Sequence, residues 1–406
     1  MLVLGQGEHE PTYGVGAFTL PRRPFRFVLG NSPLRQRVFP ELGLSQSLRR
    51  ASKSLDPAFQ VAIPGHRFDV SSDDANVARE MEREFPEVKR PIDDFHKYVE
   101  RASRALDSVI ERDLVWPPET FLERQRFLRA RRSESLPHEK HASELLAEFT
   151  EHHPFRLVSQ LPALFDCAVA PEQLSPLMLA RAYDNCRRGS VALDGGLPAL
   201  HALMIQKIHA HSGQVKLHER ASEIVVQRGH ATGVRIFGTG EDVSCGFVVV
   251  GTDVSSMLRT LPDRAPFEGL FERIGEPLLR HYRYTLNVVI RREGLPVGLR
   301  EQLYFVRDKK QSDVASHLRV QVQSLDADHV VLCTEALLAS RQVEDEEGFV
   351  SGVRPKVLAS LRELLPFLDR HVVLVDSPHD DLGPEGQAAA DTKLDVATLS
   401  RRGPAT

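Results

Sequence analysis

The chain has 406 residues, of which 41% are hydrophobic and 27% charged, a balance typical of a globular protein large enough for two domains. Its formal net charge of −4 gives no electrostatic reason to expect nucleic acid as a partner. No apolar run approaches the roughly 20 residues of a membrane-spanning helix.

The four cysteines form no C-x-x-C pair, which favours reduced thiols in an intracellular protein. The segment Met1 to Glu8 has neither the basic start nor the apolar core of a signal peptide. We therefore predict a cytoplasmic protein, and surface contact with a membrane stays open. The oligomeric state is not indicated.

The first part of the chain contains short strands and ordered loops. Residues 1–4 are predicted to end a short buried strand, and residues 59–68 to form two strands around Pro64-Gly65. Ser72, Asp73 and Asp74 can cap a helix, and Pro91 suits the first turn of the next one. That second helix carries a stripe of apolar residues, namely Ile92, Phe95, Val99, Leu106, Val109 and Ile110.

Two contrasting stretches follow. The arginine-rich run 124–132 is followed by acidic residues, which indicates a solvated face and not a nucleic-acid surface. Residues 155–183 are apolar and are divided by prolines into short helices. They form either part of the core or a mobile lid over an apolar substrate.

The stretch Asp194 to Asp253 has the most distinctive order of elements. A Gly195-Gly196 pair starts a helix with apolar residues at a spacing of three and four. The segment 213–217 and a β-hairpin around Gly229 follow. Residues 247–250 are predicted to form a buried strand that ends at Gly251.

The remaining chain is rich in strand patterns. A strand is predicted at 284–290, with further strands at 303–306, 318–324 and 329–334 that together form an antiparallel sheet. A helix near 354–365 and a strand at 372–375 come next. The polar tail from Asp380 is predicted to be loosely ordered.

Gly5-Gln6-Gly7 is the one G-x-G that follows a strand-like run. A dinucleotide loop needs a small third residue and then a helix start, but Glu10 and Pro11 stand there. Because a carboxylate would repel phosphate, we do not interpret this sequence as a phosphate loop.

No other motif supports metal or hydrolase chemistry. His209 and His211 would point to different faces of a helix, and His138 and His141 have no third ligand. No G-x-S-x-G nucleophile elbow is present. We therefore predict no metal site and assign no catalytic side chain.

The order of several segments resembles the FAD-dependent phytoene desaturase and carotenoid isomerase-like oxidoreductases of the amine oxidase superfamily. Residues 194–257 resemble the segment that re-enters their FAD domain. Tyr284–Val289 and Glu293–Pro296 resemble a strand and turn of their substrate domain. Pro24–Phe27 and Glu41–Leu44 resemble the loop and helix entry after their second Rossmann strand.

This resemblance implies a mixed α/β flavoprotein fold with two domains. Residues 1–64 and 186–262 would form a partial, Rossmann-like FAD-binding domain. Residues 65–185 and 263–376 would form a substrate domain, in which helices cover an antiparallel sheet. The tail would comprise residues 377–406.

The resemblance also implies FAD as the cofactor. Gly14 and Gly16 correspond to a glycine-rich turn near the pyrophosphate, and Ala221 to a strand residue that bonds the adenine through its backbone. Gly251 and Thr252 end a strand that points into the FAD site.

The resemblance has gaps at both ends. The family's G-x-G-x-x-G loop and its C-terminal flavin segment have no counterpart in the sequence. Gly5 stands where the family has an acidic residue that bonds the ribose, and Glu8 is an unproven substitute. We expect FAD binding by the chain as given to be weak or absent.

Two functions therefore remain open. The first is an FAD-dependent oxidoreductase, here in truncated form, that desaturates, saturates or isomerises an isoprenoid or carotenoid-like molecule by flavin hydride chemistry. Its cleft would be lined by apolar residues of 155–183 and 284–290. The second is a degenerate homologue that does not bind flavin and acts as an apolar-ligand binding or interaction protein.

Overall fold

The structure is a computed structural model that forms two compact units. It describes residues 1–5, 10–27, 33–112, 114–115, 118, 120–133, 141–169, 171–188, 190–251, 254–263, 277–308, 316–346, 348–379 and 395–401. The smaller unit comprises Met1–Pro11, Pro198–Arg280 and Leu399–Thr406. The larger unit comprises Thr12–Leu197 and His281–Thr398.

Runs of strands and runs of helices follow one another along the described chain. The helices are α1 (Pro33–Glu41), α2 (Ser45–Arg50), α3 (Asp74–Glu84), α4 (Lys89–Ile110), α5 (Phe121–Ser133), α6 (Ala142–Leu145), α7 (Pro154–Cys167), α8 (Pro176–Arg187), α9 (Gly196–Ala210), α10 (Val254–Arg259), α11 (Ser340–Asp345), α12 (Val353–Leu364) and α13 (Leu368–His371). The strands are β1 (Leu2–Leu4), β2 (Thr12–Val15), β3 (Phe18–Pro21), β4 (Ser52–Leu55), β5 (Phe59–Ile63), β6 (His66–Val70), β7 (Ser190–Leu193), β8 (Gln214–Lys216), β9 (Ala221–Gln227), β10 (His230–Ile236), β11 (Asp242–Ser244), β12 (Pro277–Arg291), β13 (Gln302–Val306), β14 (His317–Ser324), β15 (His329–Ala339), β16 (Val372–Asp376) and β17 (Asp395–Arg401).

The larger unit is organised around one large sheet with the strand order β16-β12-β15-β14-β13-β5-β6, and β17 also pairs with β12. The pairs along this order are antiparallel except β13 with β5, which is parallel. Because side chains alternate along a strand, the sheet has two apolar faces. Phe59 and Tyr304 pack in one core with α3, α4, α7 and α8, whereas Leu303 and Leu332 pack in another with α12.

The local predictions for this unit are confirmed. Strands occur at each predicted place, and helices occupy 74–84, 89–110 and 353–364. The Asp73 side chain caps α3 by accepting a hydrogen bond of 3.0 Å from the Asn76 backbone N–H. Aspartate is one of the residues preferred at the N-cap position of a helix. The mixed α/β fold class is therefore confirmed.

Residues 155–183 form core and not a lid. Phe155, Val158, Leu161 and Phe165 of α7 are buried in the same cluster as Tyr183 of α8. Strand β12 is likewise buried from residue 284 to residue 290. The apolar side chains that we expected to line a cleft are thus used for packing.

One histidine in this core makes folding sensitive to acid. His96 stacks on Tyr183 at 5.7 Å between ring centroids, and its Nε2 lies 3.0 Å from the Tyr183 hydroxyl. Desolvation by the surrounding rings, with a smaller contribution from the Arg187 charge, lowers the pKa of His96 to about 3.

The unfolded chain therefore takes up a proton below about pH 6.5 that the folded chain does not bind. The contribution of the neutral, buried His96 to the free energy of unfolding is fully present above that pH. It is lost progressively as the pH falls toward 3. Between about pH 7 and pH 5 we expect a loss of about 1–2 kcal/mol in the free energy of unfolding. Urea titrations at both pH values check this, and His96→Gln should remove most of the difference. An unchanged pH dependence in that variant would contradict the assignment.

Strands β1, β8, β9, β10 and β11 of the smaller unit form two separate sheets within its described residues. Strands β1 and β8 pair in parallel, with Leu2 opposite Gln214 and Leu4 opposite Lys216. Strands β11, β10 and β9 form an antiparallel sheet in that order. The predicted hairpin around Gly229 is confirmed as β9 and β10.

The predicted buried strand at 247–250 is wrong. These residues have no regular structure, and the side chains of Phe247 and Val249 are 92% and 94% exposed. An apolar run becomes a buried strand only when neighbouring strands pair with it and a second layer covers it. The described part of the chain provides neither.

The division into compact units differs from the sequence-based domain assignment at several segments. Residues 12–64 and 186–197, predicted for the partial FAD domain, belong to the larger unit. Residues 277–280, predicted for the substrate domain, belong to the smaller unit. The assignment of functional domains stays a prediction.

Two further findings concern membrane-spanning helices and the state of the cysteines. None of the described helices is both long and apolar enough to cross a bilayer. All four cysteines, Cys167, Cys186, Cys245 and Cys333, are free thiols.

Candidate functional site

A row of polar side chains crosses the buried sheet of the larger unit. Tyr304 on β13 lies opposite Arg319 on β14, Arg319 lies opposite Glu335 on β15, and Glu335 lies opposite Thr285 on β12. Residues opposite one another on neighbouring strands share a face of the sheet. Four strands therefore contribute one side chain each to a continuous row.

Glu335 is the centre of this row and is fully buried. Its Oε2 accepts a hydrogen bond of 2.6 Å from Arg319 Nη2, and its Oε1 accepts one from Arg283 Nη1. Arg283 also donates through Nη2 to the Phe165 carbonyl at 3.2 Å. One buried carboxylate thus holds two guanidinium groups through charge-assisted hydrogen bonds.

Asp166, at the end of α7, joins the row to the loop before α1. Its Oδ1 lies 3.1 Å from Arg319 Nη1, and its Oδ2 lies 3.0 Å from Arg26 Nη2. The Arg26 side chain is only 5% exposed, and its guanidinium lies over the Tyr304 ring at 5.8 Å from the centroid. Side chains from the loop, α7 and the sheet meet here, and we call this group the buried charge cluster.

The buried charge cluster has an excess of positive charge. Three arginines, Arg26, Arg283 and Arg319, face two carboxylates, Asp166 and Glu335. Within the described ranges, the buried Nη1 of Arg26 and Nε of Arg319 have no hydrogen-bond acceptor. Because burial makes an unmatched cation costly, the cluster favours anions and disfavours further cations.

The nucleophilic groups beside the cluster are not activated. Burial raises the pKa of the Cys186 thiol to about 12, and burial also raises the pKa of the Tyr304 hydroxyl well above its usual value. Both groups are therefore protonated at neutral pH, and a protonated thiol is a poor nucleophile. The cluster can position charge, but it supplies no side-chain nucleophile.

Sequence reasoning missed this cluster. The available signal was a charged residue inside an apolar strand pattern, as with Glu335 in Val330–Leu338 and Arg26 in Pro24–Phe27. Such charges are almost never buried unless paired. The three arginines of the cluster contact residues of α7 that lie 118 to 153 positions away along the chain. The sequence therefore does not identify these partners.

The structure places Gly14 and Gly16 together on the hairpin of β2 and β3. Gly16, with φ of +58°, occupies the first position of the two-residue turn, where a type II′ turn requires glycine. A Cβ added at either residue would meet nothing within 4 Å. The open backbone is compatible with close approach of a cofactor, and both assignments stay predictions.

The other predicted cofactor positions belong to the smaller unit. Ala221 is half-buried at the start of the edge strand β9. Gly251 follows the exposed segment 247–250 and also has open space where a Cβ would stand. Thr252 lies outside the described residues, as do Gln6, Gly7 and Glu8. Their assignments also stay predictions.

Gly5 has a packing role that argues against a ribose contact from this position. A Cβ there would lie 2.2 Å from the Leu217 carbonyl oxygen and 2.7 Å from its Cα, because Gly5 donates its N–H to Lys216 at 3.1 Å. Only glycine permits this approach. Gly5 therefore cannot be replaced by an acidic residue that would bond the ribose from this position.

Metal ligands do not assemble in the part of the chain that the structure describes. No group of three His, Cys, Asp or Glu side chains there is arranged to hold a metal ion. His209 uses Nδ1 in a contact of 3.2 Å with the Gly213 carbonyl. His138 lies outside the described residues.

Comparisons with solved structures show the fold. A redesigned putrescine oxidase matches with a TM-score of 0.58 at 12% identity, covering 96% of this chain and 81% of that one. Cyclohexylamine oxidase from Brevibacterium oxydans matches with a TM-score of 0.54 at 12% identity, covering 92% and 78%. A protein from Pyrococcus furiosus matches with a TM-score of 0.56 at 13% identity, covering 98% and 88%.

The family is shown by sequence. No curated protein matches significantly. The family model described as flavin containing amine oxidoreductase matches residues 25–290, more than half of the 406 residues. This match includes α1 to α10 and most of β12, with Arg26, Asp166 and Arg283 of the buried charge cluster. The chain belongs to the flavin-containing amine oxidoreductase family.

Proposed function

We propose that the protein is an FAD-dependent oxidoreductase that acts on an apolar substrate of isoprenoid or carotenoid type. Family membership supports flavin chemistry. The observation in the structure that supports the proposal is the buried charge cluster, in which Glu335 and Asp166 hold Arg26, Arg283 and Arg319 within the core.

The bound flavin would supply hydride transfer to or from the substrate. Gly14, Gly16, Ala221, Gly251 and Thr252 would hold the FAD through their backbone groups. The buried charge cluster would keep Arg26 and Arg319 in place beside α7, and their positive charge would disfavour cationic substrates.

The charge of the cluster bears on the substrate class. The putrescine and cyclohexylamine oxidases are named for amines, which are cations at neutral pH. An excess of buried arginine repels an ammonium group and attracts a carboxylate. We therefore rank a neutral or acidic isoprenoid above a cationic amine. The apolar class itself is supported by the sequence resemblance.

Flavin reduction tests this proposal directly. The full chain is supplied with excess FAD under anaerobic conditions, and the visible absorbance band of the flavin is followed after each substrate is added. A polyene hydrocarbon, an isoprenoid acid, putrescine and cyclohexylamine are compared at equal concentration. Dithionite reduction first shows that the bound flavin is redox-active, and reoxidation of the reduced flavin by each polyene tests the opposite direction.

We expect the isoprenoid compounds to change the flavin spectrum at least tenfold faster than either amine. Faster reduction by putrescine or cyclohexylamine would contradict the substrate class while leaving the flavoprotein assignment intact. No spectral change with any compound, in a protein that retains FAD, would contradict both candidate classes of substrate.

The second candidate function is an apolar-ligand binding protein without flavin. It is favoured by the crowding at Gly5, which leaves no room for an acidic side chain, and by the exposed residues Phe247 and Val249. Binding of a fluorescent polyene that is unaffected by added FAD would support this function.

A further inference from the structure

A cavity of about 510 Å³ lies beside the N-terminal half of α7, away from the buried charge cluster at the other end of that helix. Polar and apolar surface contribute about equally to its lining. The polar lining residues that bear on its chemistry are Glu151, His152, His153, Arg156 and Gln160, and the apolar ones are Leu157 and Pro171.

Gln160 is the buried polar group of this cavity. Its side chain lines the cavity although the residue is only 8% exposed. Within the described residues no hydrogen bond of its amide to another protein group is found. The amide is not among the fully buried polar atoms without a partner, so it faces the space of the cavity. The Gln160 amide therefore presents donors and an acceptor to whatever fills the cavity.

Arg156 adds a fixed positive charge one helical turn earlier. Its Nη1 donates to the carbonyls of Leu146 at 2.9 Å and Phe149 at 3.1 Å, which anchors the guanidinium at the cavity wall. Among the described residues, no carboxylate oxygen lies within 4.0 Å of it. Nε and Nη2 have no protein acceptor there, so a fork of charged donors is available.

The other ionisable groups differ in their availability. His153 Nε2 lies 3.0 Å from Glu87 Oε1, and its Nδ1 accepts a hydrogen bond of 3.2 Å from the Phe155 backbone N–H. His153 is therefore already engaged. Glu151 and His152 are exposed. Solvent therefore screens the negative charge of Glu151.

We propose that this cavity binds a small organic anion whose carboxylate or phosphate oxygens accept hydrogen bonds from Arg156 and Gln160. Planar guanidinium groups bind both kinds of oxyanion in a bidentate manner. Leu157 and Pro171 would contact the carbon part of the ligand. The proposal requires neither flavin nor the proposed substrate.

Calorimetric titration of the full chain tests this proposal, with inorganic phosphate and succinate as probes at constant ionic strength. Gln160→Glu places a carboxylate where the amide stands and should weaken binding of the effective probe at least tenfold. Gln206→Glu makes the same change on the exposed side of α9 and should leave binding unchanged. Saturable binding of phosphate or of succinate shows which oxyanion the cavity accepts.

His152→Glu provides a second variant, because an exposed residue tolerates substitution better than a buried one. It adds negative charge to the same wall and should also weaken binding, even where Gln160→Glu does not fold. Thermal unfolding establishes which variants are folded. The proposal is overturned if neither probe binds saturably, or if folded Gln160→Glu and His152→Glu proteins bind as the unchanged chain does.

Discussion

Replacing Glu335 by Gln is expected to lower the free energy of unfolding by about 3–5 kcal/mol, the usual cost of leaving a buried charge unpaired. Glu335 is fully buried, and its partners Arg283 and Arg319 are 15% and 11% exposed. The substitution leaves both guanidinium groups in place and removes the charge that they share. Urea unfolding followed by circular dichroism gives the difference in midpoint and slope.

Asp369→Asn is the matched control for Glu335→Gln. It makes the same kind of change in an ion pair with Arg362. The side chains of Arg362 and Asp369 are 51% and 66% exposed. Exposed pairs contribute about 0–1 kcal/mol, so the control should change stability little. Equal effects of the two substitutions would show that Glu335 does not hold the buried charge cluster together.

The chain as printed is expected to bind FAD weakly and to lose it on desalting. A charge-assisted hydrogen bond to the ribose contributes about 1.5–3 kcal/mol, and Gly5 cannot supply it because Leu217 occupies the space of a side chain. Every ~1.4 kcal/mol corresponds to a factor of ten in affinity. The acidic Glu10, exposed after β1, further disfavours the pyrophosphate through like-charge repulsion.

FAD titration followed by quenching of flavin fluorescence measures this affinity. Gly14→Val tests the predicted contact, since the new side chain meets no protein atom within 4 Å of its Cβ and would obstruct only a ligand. Gly246→Val is the control, because Gly246 has equally open surroundings and no predicted cofactor contact. Gly14→Val should weaken binding at least tenfold and Gly246→Val should not.

Two results would contradict these expectations. Stoichiometric flavin after desalting would show that backbone contacts hold FAD without an acidic ribose ligand. Equal FAD affinity in Gly14→Val and the unchanged chain would remove Gly14 from the cofactor site.

Most secondary structure of the larger unit could be predicted because its signals are local. The Asp73 cap, the apolar stripe of α4 and the turn at Pro64-Gly65 each depend on residues a few positions apart. The same is true of the β-strand patterns of β12 to β15. The family resemblance also comes from the sequence, since it depends on the order of such segments.

The buried charge cluster was decided by tertiary structure. Arg26 and Asp166 are 140 residues apart, and Arg319 and Asp166 are 153 apart. Nothing in their local sequences indicates that they meet, because the pairing is set by strand register and by the position of α7 on the sheet. The unpaired amide of Gln160 is hidden from the sequence for the same reason.

The segment 247–250 shows most clearly that burial cannot be predicted from a local sequence alone. Its residues Phe247-Val248-Val249-Val250 have the composition of a buried strand, and the sequence by itself determines that preference. Burial, however, requires hydrogen-bonding neighbours and a covering layer, which other parts of the fold must supply. Composition therefore determined which segments favour strands and helices, whereas tertiary contacts decided which apolar residues are buried and which charges are paired.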